Sequence, residues 1–65
     1  MLRIAEVRKS RGLLQEDVAK EIGIDRSTVA KWETGKAKPK ADTLLALSTL
    51  FNCSIDELLG NEIRG

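Results

Sequence analysis

The chain has 65 residues, of which 42% are hydrophobic and 32% are charged. This length supports one small domain with enough apolar residues for a core, so a two-domain enzyme and a disordered chain are both excluded. The 11 basic and 10 acidic residues give a net charge of +1, and there is one Cys and no His. This composition excludes a uniformly basic nucleic-acid coat, a zinc finger, a disulfide framework and His-based catalysis.

Apolar residues recur at helical spacing along the chain, and the alternating pattern of a β-strand is missing. The Gly residues and the single Pro divide the chain into five segments, which predicts one all-α domain over residues 1–65. The predicted helices cover residues 2–11, 15–22, 26–34, 41–51 and 55–59.

One apolar stripe on each predicted helix defines the expected core. The core residues are expected to be Ile4, Val7, Val18, Ala19, Ile22, Val29, Trp32, Leu44, Leu47, Phe51, Ile55, Leu58 and Leu59. Asp25 is predicted to cap the third helix, and Ser54 begins a capping box for the fifth. Cys53 lies at a staple position next to Ser54, so we predict packing rather than redox chemistry for it.

Residues 15–34 predict two short helices joined by a tight turn. Ala19 is small where two helices must approach closely, and Gly23 can adopt the left-handed conformation that ends the first helix. This spacing forms a helix-turn-helix. A pair of helices linked by Gly is also common in proteins that do not bind DNA, so the turn alone does not define a function.

Four motifs carry a family resemblance. They are Gln15-Glu16-Asp17-Val18-Ala19 followed by Gly23, the segment 27–35 (STVAKWETG), Pro39, and the segment 51–59 (FNCSIDELL). Together they make residues 2–60 similar to the lambda-repressor-like helix-turn-helix domains of the Cro and CI type. The resemblance implies a five-helix DNA-binding domain that acts as a small prokaryotic transcriptional regulator, in particular a repressor.

The resemblance also implies that the third predicted helix enters the major groove of DNA. At 100° per residue, Val29 and Trp32 point to one side of this helix, and Ser27 and Lys31 point to the other. The positions that match base-reading residues of the family are Arg26, Ser27, Thr28 and Lys31. Arg26 and Lys31 can donate to guanine O6 and N7, which favours G within a half-site.

Positive charge is concentrated in residues 26–40, where five basic residues accompany one acidic residue. Residues 15–25 instead hold one basic and four acidic residues, so the net charge hides a local excess of +4. We expect this basic region to follow the DNA backbone, although a solvated face is the simpler alternative. The expected backbone contacts are Gln15, Thr34, Lys36, Lys38 and Lys40.

Other residues are assigned to structural support. Trp32 shares the inner face of its helix with Val29, so it is expected to pack in the core rather than stack on a base. Gly23 is expected to end its helix, and the resemblance implies that Glu33 pairs with Arg8 of the first helix. It also implies that Gln15 braces the recognition helix. Leu14 departs from the family, which often has Ser or Thr at this cap position.

The leading hypothesis is a sequence-specific regulator that binds double-stranded DNA as a homodimer at an inverted repeat, because one small copy makes few base contacts. Ile55, Leu58 and Ile63 form the expected dimer surface. The alternatives are an antitoxin-type or other partner-dependent interaction module, and the DNA-binding fragment of a longer regulator.

An enzyme is close to excluded, because no Gly-rich phosphate loop is present and no base is arranged to activate Ser27. No cofactor or metal is expected. The absence of a signal peptide or long apolar segment and the lone Cys predict a cytoplasmic protein, in the prokaryotic cytosol or nucleoid, with no membrane partner.

Overall fold

The computed structural model describes residues 2–60, which form five α-helices. The helices are α1 (Ile4–Ser10), α2 (Gln15–Ile22), α3 (Arg26–Thr34), α4 (Ala41–Phe51) and α5 (Ile55–Leu59). No strand occurs within residues 2–60, and the predicted all-α fold class is confirmed. None of the helices in this range is long and apolar enough to span a membrane.

The first helix starts two residues later and ends one residue earlier than predicted, whereas the other four helices have the predicted bounds. Arg3 has a non-helical backbone, with φ −101° and ψ 28°. Its N–H donates to the carbonyl oxygen of Leu58 over 2.8 Å. This bond fastens the segment before α1 to α5, and the non-helical backbone of Arg3 makes it the cap residue from which α1 begins.

The core lies where all five helices meet. Its buried apolar residues are Ile4, Val7, Val18, Ala19, Val29, Trp32, Leu47, Phe51 and Leu58, all of them predicted. Ile22 and Leu44 are half-buried and pack against this cluster. Trp32 is only 5% exposed, which confirms its assignment to the core.

Leu58 corrects one expectation about the surface. Its side chain is 0% exposed, because it points from the short helix α5 into the hydrophobic core. Leu58 therefore cannot contribute to a dimer surface. Ile55 is half-buried, and Ile63 lies outside the described residues.

The corner between α2 and α3 is closed by Gly23, as predicted. Gly23 has φ 83° and ψ 39°, the left-handed conformation that glycine adopts without strain. The N–H groups of Gly23 and Ile24 both donate to the carbonyl oxygen of Ala19, over 2.8 and 2.9 Å. These two bonds provide the carbonyl oxygen of Ala19, near the C-terminus of α2, with hydrogen-bond donors. They also fix the direction in which the chain enters α3.

The helix N-termini are capped differently. Ser54 accepts the N–H of Glu57 through its Oγ over 3.1 Å, which is one of the two bonds of the predicted capping box. The prediction for Asp25 is wrong: it occupies the cap position of α3, but its side chain makes no capping bond. The N–H of Thr28, the usual donor for such a cap, instead donates to the backbone oxygen of Asp25 over 3.0 Å.

Candidate nucleic-acid interface

The exposed side of α3 consists of Arg26, Ser27, Lys31 and Thr34. The buried side consists of Val29 and Trp32, so the two predicted faces of this helix are confirmed. Thr28 lies between the two faces and is half-buried. Every exposed side chain of α3 is therefore either positively charged or carries a hydroxyl group, and none is acidic.

Thr34 differs from the other exposed residues of α3 because its hydroxyl is already used. Its Oγ1 donates to the carbonyl oxygen of Ala30 over 3.0 Å. A phosphate oxygen can only accept, so a contact from Thr34 requires this proton to turn away from the helix.

The single acid of α3, Glu33, is turned inward and paired with Arg8 of α1. The Nε of Arg8 lies 2.6 Å from Oε2 of Glu33, and Nη2 lies 3.1 Å from Oε1. The two side chains are 9% and 8% exposed. The Nη1 of Arg8 also donates to the carbonyl oxygen of Leu13 over 2.8 Å. This two-pronged pair confirms the implied contact and removes the acidic charge from the surface of α3.

The environment of Glu33 keeps its carboxylate ionised. Burial alone raises the pKa of Glu33, because a low-dielectric environment disfavours the charged form. Hydrogen bonds from Arg8 and Gln15 and the positive charges of Arg8 and Lys9 act in the opposite direction and are together larger. The pKa of Glu33 therefore lies below its ordinary value, and the pair is fully charged at neutral pH.

Gln15, at the start of α2, connects this pair to the exposed side of α3. Its Nε2 donates to Oε1 of Glu33 over 2.9 Å, and its Oε1 accepts from Nη1 of Arg26 over 3.4 Å. The side-chain amide is thus fixed in one orientation by a carboxylate on one side and a guanidinium on the other. The bracing of α3 by Gln15 is present, and it holds Arg26 at the first turn of α3.

An open depression of about 340 Å³ lies beside this amide. It is lined by Arg8, Leu14, Gln15, Glu16 and Arg26. Leu14 precedes α2 and is 58% exposed, so its apolar side chain stands where a cap oxygen would otherwise lie. The N–H of Leu14 donates to Oδ2 of Asp17 over 2.8 Å. This backbone donor is therefore engaged within the protein.

The segment 36–40 carries three exposed lysines: Lys36, Lys38 and Lys40. Ala37 and Pro39 alternate with them and are half-buried. The segment is fastened to the end of α3, since the N–H groups of Lys36 and Ala37 donate to the carbonyl oxygen of Lys31 over 2.9 and 3.2 Å. The alternation directs the lysines to the solvent, directly after the C-terminal end of α3.

Cys53 lies apart from this surface and is half-buried against the core, as the sequence predicts. Burial and the charge of Glu57 raise the pKa of the Cys53 thiol, although Arg11 acts in the opposite direction. A thiol with a raised pKa is a weak nucleophile at neutral pH. Within residues 2–60, no group of three or more metal-binding side chains comes together.

Two contacts of this region were not predicted from the sequence. The bond between Gln15 and Arg26 joins residues in different helices, and no spacing rule links them. The bond from Nε of Arg11 to the carbonyl oxygen of Phe51, over 2.7 Å, likewise joins distant segments. Such contacts depend on how the first four helices pack together, so no local sequence pattern predicts them.

Comparison with known proteins supports the structural description. A family model described as "Helix-turn-helix" matches residues 4–58. The transcriptional activator BcrR of Enterococcus faecalis is 35% identical over 60 residues, which cover 92% of this chain and 29% of BcrR. An uncharacterized HTH-type transcriptional regulator of Archaeoglobus fulgidus is 36% identical over 56 residues, which cover 86% of this chain and 80% of that protein.

A solved structure shares the fold. The crystal structure of the P22 c2 repressor in complex with a synthetic operator superposes with a TM-score of 0.81 at 34% identity, covering 89% of this chain and 88% of that one. This match confirms the lambda-repressor-like architecture. The chain nevertheless spans only 29% of BcrR and 47% of the regulator ImmR of Bacillus subtilis, so several relatives are much longer.

Proposed function

The chain belongs to the helix-turn-helix family, and we propose that it is a transcriptional regulator that binds double-stranded DNA in a sequence-specific manner and has no enzymatic activity. The observation that supports this most is the exposed side of α3, where only basic and hydroxyl side chains face outward and the single acid is paired inward. A helix of this kind can approach phosphates and base edges without repulsion.

The proposal assigns base reading to Arg26, Ser27, Thr28 and Lys31. Arg26 and Lys31 supply donors for guanine, and the hydroxyls of Ser27 and Thr28 both donate and accept. Arg26 stands out among them, because the amide of Gln15 restrains its guanidinium before DNA is bound. Restraint of this kind lowers the entropy lost on binding.

Contacts to the phosphate backbone are assigned to Gln15, Thr34, Lys36, Lys38 and Lys40. Gln15 lies at the first turn of α2, where backbone N–H groups and the helix dipole favour an anion. The lysines of segment 36–40 extend this positive surface away from α3. Such contacts fix the position of the protein on DNA and carry no sequence information.

The proposed active form is a homodimer on an inverted repeat. Two copies related by a two-fold axis place their recognition helices about 34–36 Å apart, one turn of DNA, or a multiple of that distance. The exposed face of α3 is short, so a second copy supplies the base contacts that useful specificity requires. We propose repression as the outcome in the prokaryotic cytosol or nucleoid, since a dimer on its operator blocks the DNA that it covers.

A second candidate is favoured by the length of the relatives. Because the chain spans only 29% of BcrR and 47% of ImmR, it can instead serve as the DNA-binding part of a longer or partner-dependent regulator. In that case another region or another protein, for example in an antitoxin-type complex, supplies the second DNA-binding unit. The two candidates share the α3 surface and differ in what brings two copies together.

Selection from randomised duplex DNA at two salt concentrations tests the proposal. Enrichment of an inverted repeat with G-containing half-sites supports the homodimer, and binding should weaken steeply with salt. Enrichment of a single half-site favours the second candidate. Retention that depends on salt without any enrichment would overturn sequence-specific binding by this chain.

A further inference from the structure

Leu14 occupies a position in the chain that favours polar residues. It directly precedes α2 and has the extended backbone of a helix cap, with φ −88° and ψ 161°. Ser, Thr, Asp and Asn are preferred there, because their side-chain oxygen accepts an N–H of the first helical turn. A Leu at this position lowers helix stability relative to those residues. A residue that departs from such a local rule without a gain in stability is a candidate for a role in function.

The side chain of Leu14 is not explained by packing. It is 58% exposed, whereas the adjacent Leu13 packs against the core. Single exposed apolar residues are common on protein surfaces, so exposure alone does not indicate a role. Leu14 combines exposure with an unfavourable cap position, and neither burial nor capping accounts for the choice of Leu.

Leu14 lies beside the residues proposed to bind DNA. It lines the depression of about 340 Å³ together with Gln15 and Arg26. The Oε1 of Gln15 accepts from Nη1 of Arg26 over 3.4 Å, so the guanidinium of Arg26 is held by the residue next to Leu14. An apolar side chain therefore borders the group that is proposed to read guanine.

Leu14 has no free group that can bind a phosphate. Its side chain contains no donor, and its N–H donates to Oδ2 of Asp17 over 2.8 Å. Its carbonyl oxygen accepts from the N–H groups of Asp17 and Val18, over 3.0 and 3.2 Å. An apolar contact is therefore what Leu14 can offer to DNA. On the base edges of the major groove, the apolar group is the C5-methyl of thymine.

We propose that Leu14 contacts the C5-methyl group of a thymine beside the guanine read by Arg26, and thereby makes this thymine part of the preferred half-site. The inference rests on the proposed function and adds a specificity-determining residue from outside α3. The contact favours thymine over cytosine, which carries hydrogen at C5. A cytosine methylated at C5 presents the same chemical group, so both methylated pyrimidines fit the contact.

The expected effect on affinity is modest. Removal of one methyl group from an apolar contact lowers affinity about fourfold. On an inverted repeat the methyl group occurs once in each half-site, so its removal from both lowers affinity about fifteenfold. Because the contact involves no charge, the size of the effect should not change with salt concentration.

Replacement of thymine by uracil tests the contact, because uracil lacks only the C5-methyl group. Each thymine of the selected half-site is replaced in turn, and affinity is measured by fluorescence titration. For the unmodified chain, affinity should fall about fourfold per half-site at one thymine beside the guanine. Leu14→Ala should bind the thymine and uracil duplexes equally, and Leu14→Met should keep the preference. Leu45 is the matched control, since it is also a Leu and is 57% exposed on α4. Leu45→Ala should keep the full preference.

Methylation of cytosine separates the methyl group from the rest of the thymine base. The critical T·A pair is replaced by C·G, with or without a methyl group at C5 of the cytosine. The unmodified chain should bind the methylated duplex about fourfold more tightly per half-site, and Leu14→Ala should bind both equally. A preference for thymine without a response to cytosine methylation would show that hydrogen-bonding groups are read instead, which overturns the proposal.

The outcomes distinguish failure of this assignment from failure of the proposed function. Specific binding that is insensitive to uracil, or equally sensitive in Leu14→Ala, contradicts the role of Leu14 alone. A selected half-site without a thymine beside the guanine contradicts it as well. Absence of any preferred duplex contradicts the proposed function, and the assignment of Leu14 with it. Circular dichroism checks that each variant is folded.

Discussion

Arg8 and Glu33 are joined by two hydrogen bonds, of 2.6 and 3.1 Å, between α1 and α3 in an almost solvent-free position. This arrangement connects the stability of the domain with the charge on the surface of α3. A buried pair is costly to form, and removal of one partner leaves the other charge without compensation. The pair therefore favours this packing of α1 on α3 over alternatives in which Glu33 faces outward.

The first prediction concerns the two partners of this pair. Glu33→Leu should lower the free energy of unfolding by about 3–5 kcal/mol, because it leaves the buried guanidinium of Arg8 unpaired. The double variant Arg8→Met/Glu33→Leu should be more stable than the single variant. Urea unfolding measures both. The exposed pair of Arg3 and Glu6, 3.3 Å apart, is the control, and Glu6→Gln should have a much smaller effect. A double variant less stable than Glu33→Leu contradicts this account.

The second prediction concerns pH. Because the pKa of Glu33 is lowered on folding, its contribution to stability is complete above its ordinary value of 4.5 and is lost as the pH falls toward the folded-state value. The free energy of unfolding should therefore decrease below about pH 4.5 with a contribution from this residue. Urea unfolding at pH 7 and at several points below 4.5 should show a shallower dependence for Glu33→Gln. An identical acid slope in both proteins would falsify the assignment.

The third prediction concerns Gln15, for which we propose a role in DNA binding both directly and through Arg26. Gln15→Ala should lower the free energy of unfolding by about 1–3 kcal/mol, because the part-buried carboxylate of Glu33 loses one hydrogen bond. It should also lower affinity of the folded protein for the selected duplex about tenfold. The effects of Gln15→Ala and Arg26→Ala should be non-additive by at least about 0.5 kcal/mol in a double-mutant cycle. Strictly additive effects would mean that the 3.4 Å contact between these side chains has no role in binding.

The sequence predicts the fold well because the signals are local. Apolar periodicity defines α2, α3 and α4, and the left-handed Gly23 defines the corner between α2 and α3. For Leu58 the apolar spacing predicts a core residue, which is confirmed, whereas the separate assignment of Leu58 to a dimer surface is wrong, because its side chain is 0% exposed. The sequence also fails for Asp25, since capping depends on whether the backbone oxygen or the side chain takes the N–H of Thr28.

Some features of the candidate site can likewise be predicted from local sequence patterns, and others depend on how the helices pack. The exposed face of α3 follows from helical geometry alone, whereas the pairing of Glu33 with Arg8 joins residues 25 positions apart and came from the family resemblance. The resemblance also implied that Gln15 braces α3, which its bond to Glu33 provides, but nothing in the sequence indicated its contact with Arg26. It depends on the angle between α2 and α3, which the packed core sets.

The fourth prediction concerns the start of α2. Leu14 has the backbone conformation of a helix cap but has no side-chain oxygen, and Asp17 already bonds its N–H. Leu14→Ser should complete a capping box by drawing to its hydroxyl the N–H of Asp17, which otherwise donates to the backbone oxygen of residue 14 over 3.0 Å. This should raise the free energy of unfolding by about 1 kcal/mol. Leu14→Ala is the matched control and should show no gain. Equal stability of the two variants would show that the hydroxyl does not cap α2.

The fifth prediction separates base reading from backbone contact. Lys31 is exposed on α3 and Lys36 is exposed at the start of the basic segment, so both carry the same charge on neighbouring elements. Lys31→Ala should relax sequence preference, with a loss of about 1–3 kcal/mol confined to the best duplexes. Lys36→Ala should weaken binding to all duplexes by the same factor and reduce the salt slope by about one.

Titration of each variant against the selected duplex and a scrambled duplex, at several salt concentrations, distinguishes these outcomes. Both variants should melt close to the unmodified chain, because neither side chain contributes to the core. If Lys31→Ala loses the same factor on both duplexes as Lys36→Ala does, Lys31 contacts phosphate instead of a base. The guanine expected in the half-site would then have to be recognised by Arg26 alone, in the position where Gln15 holds it.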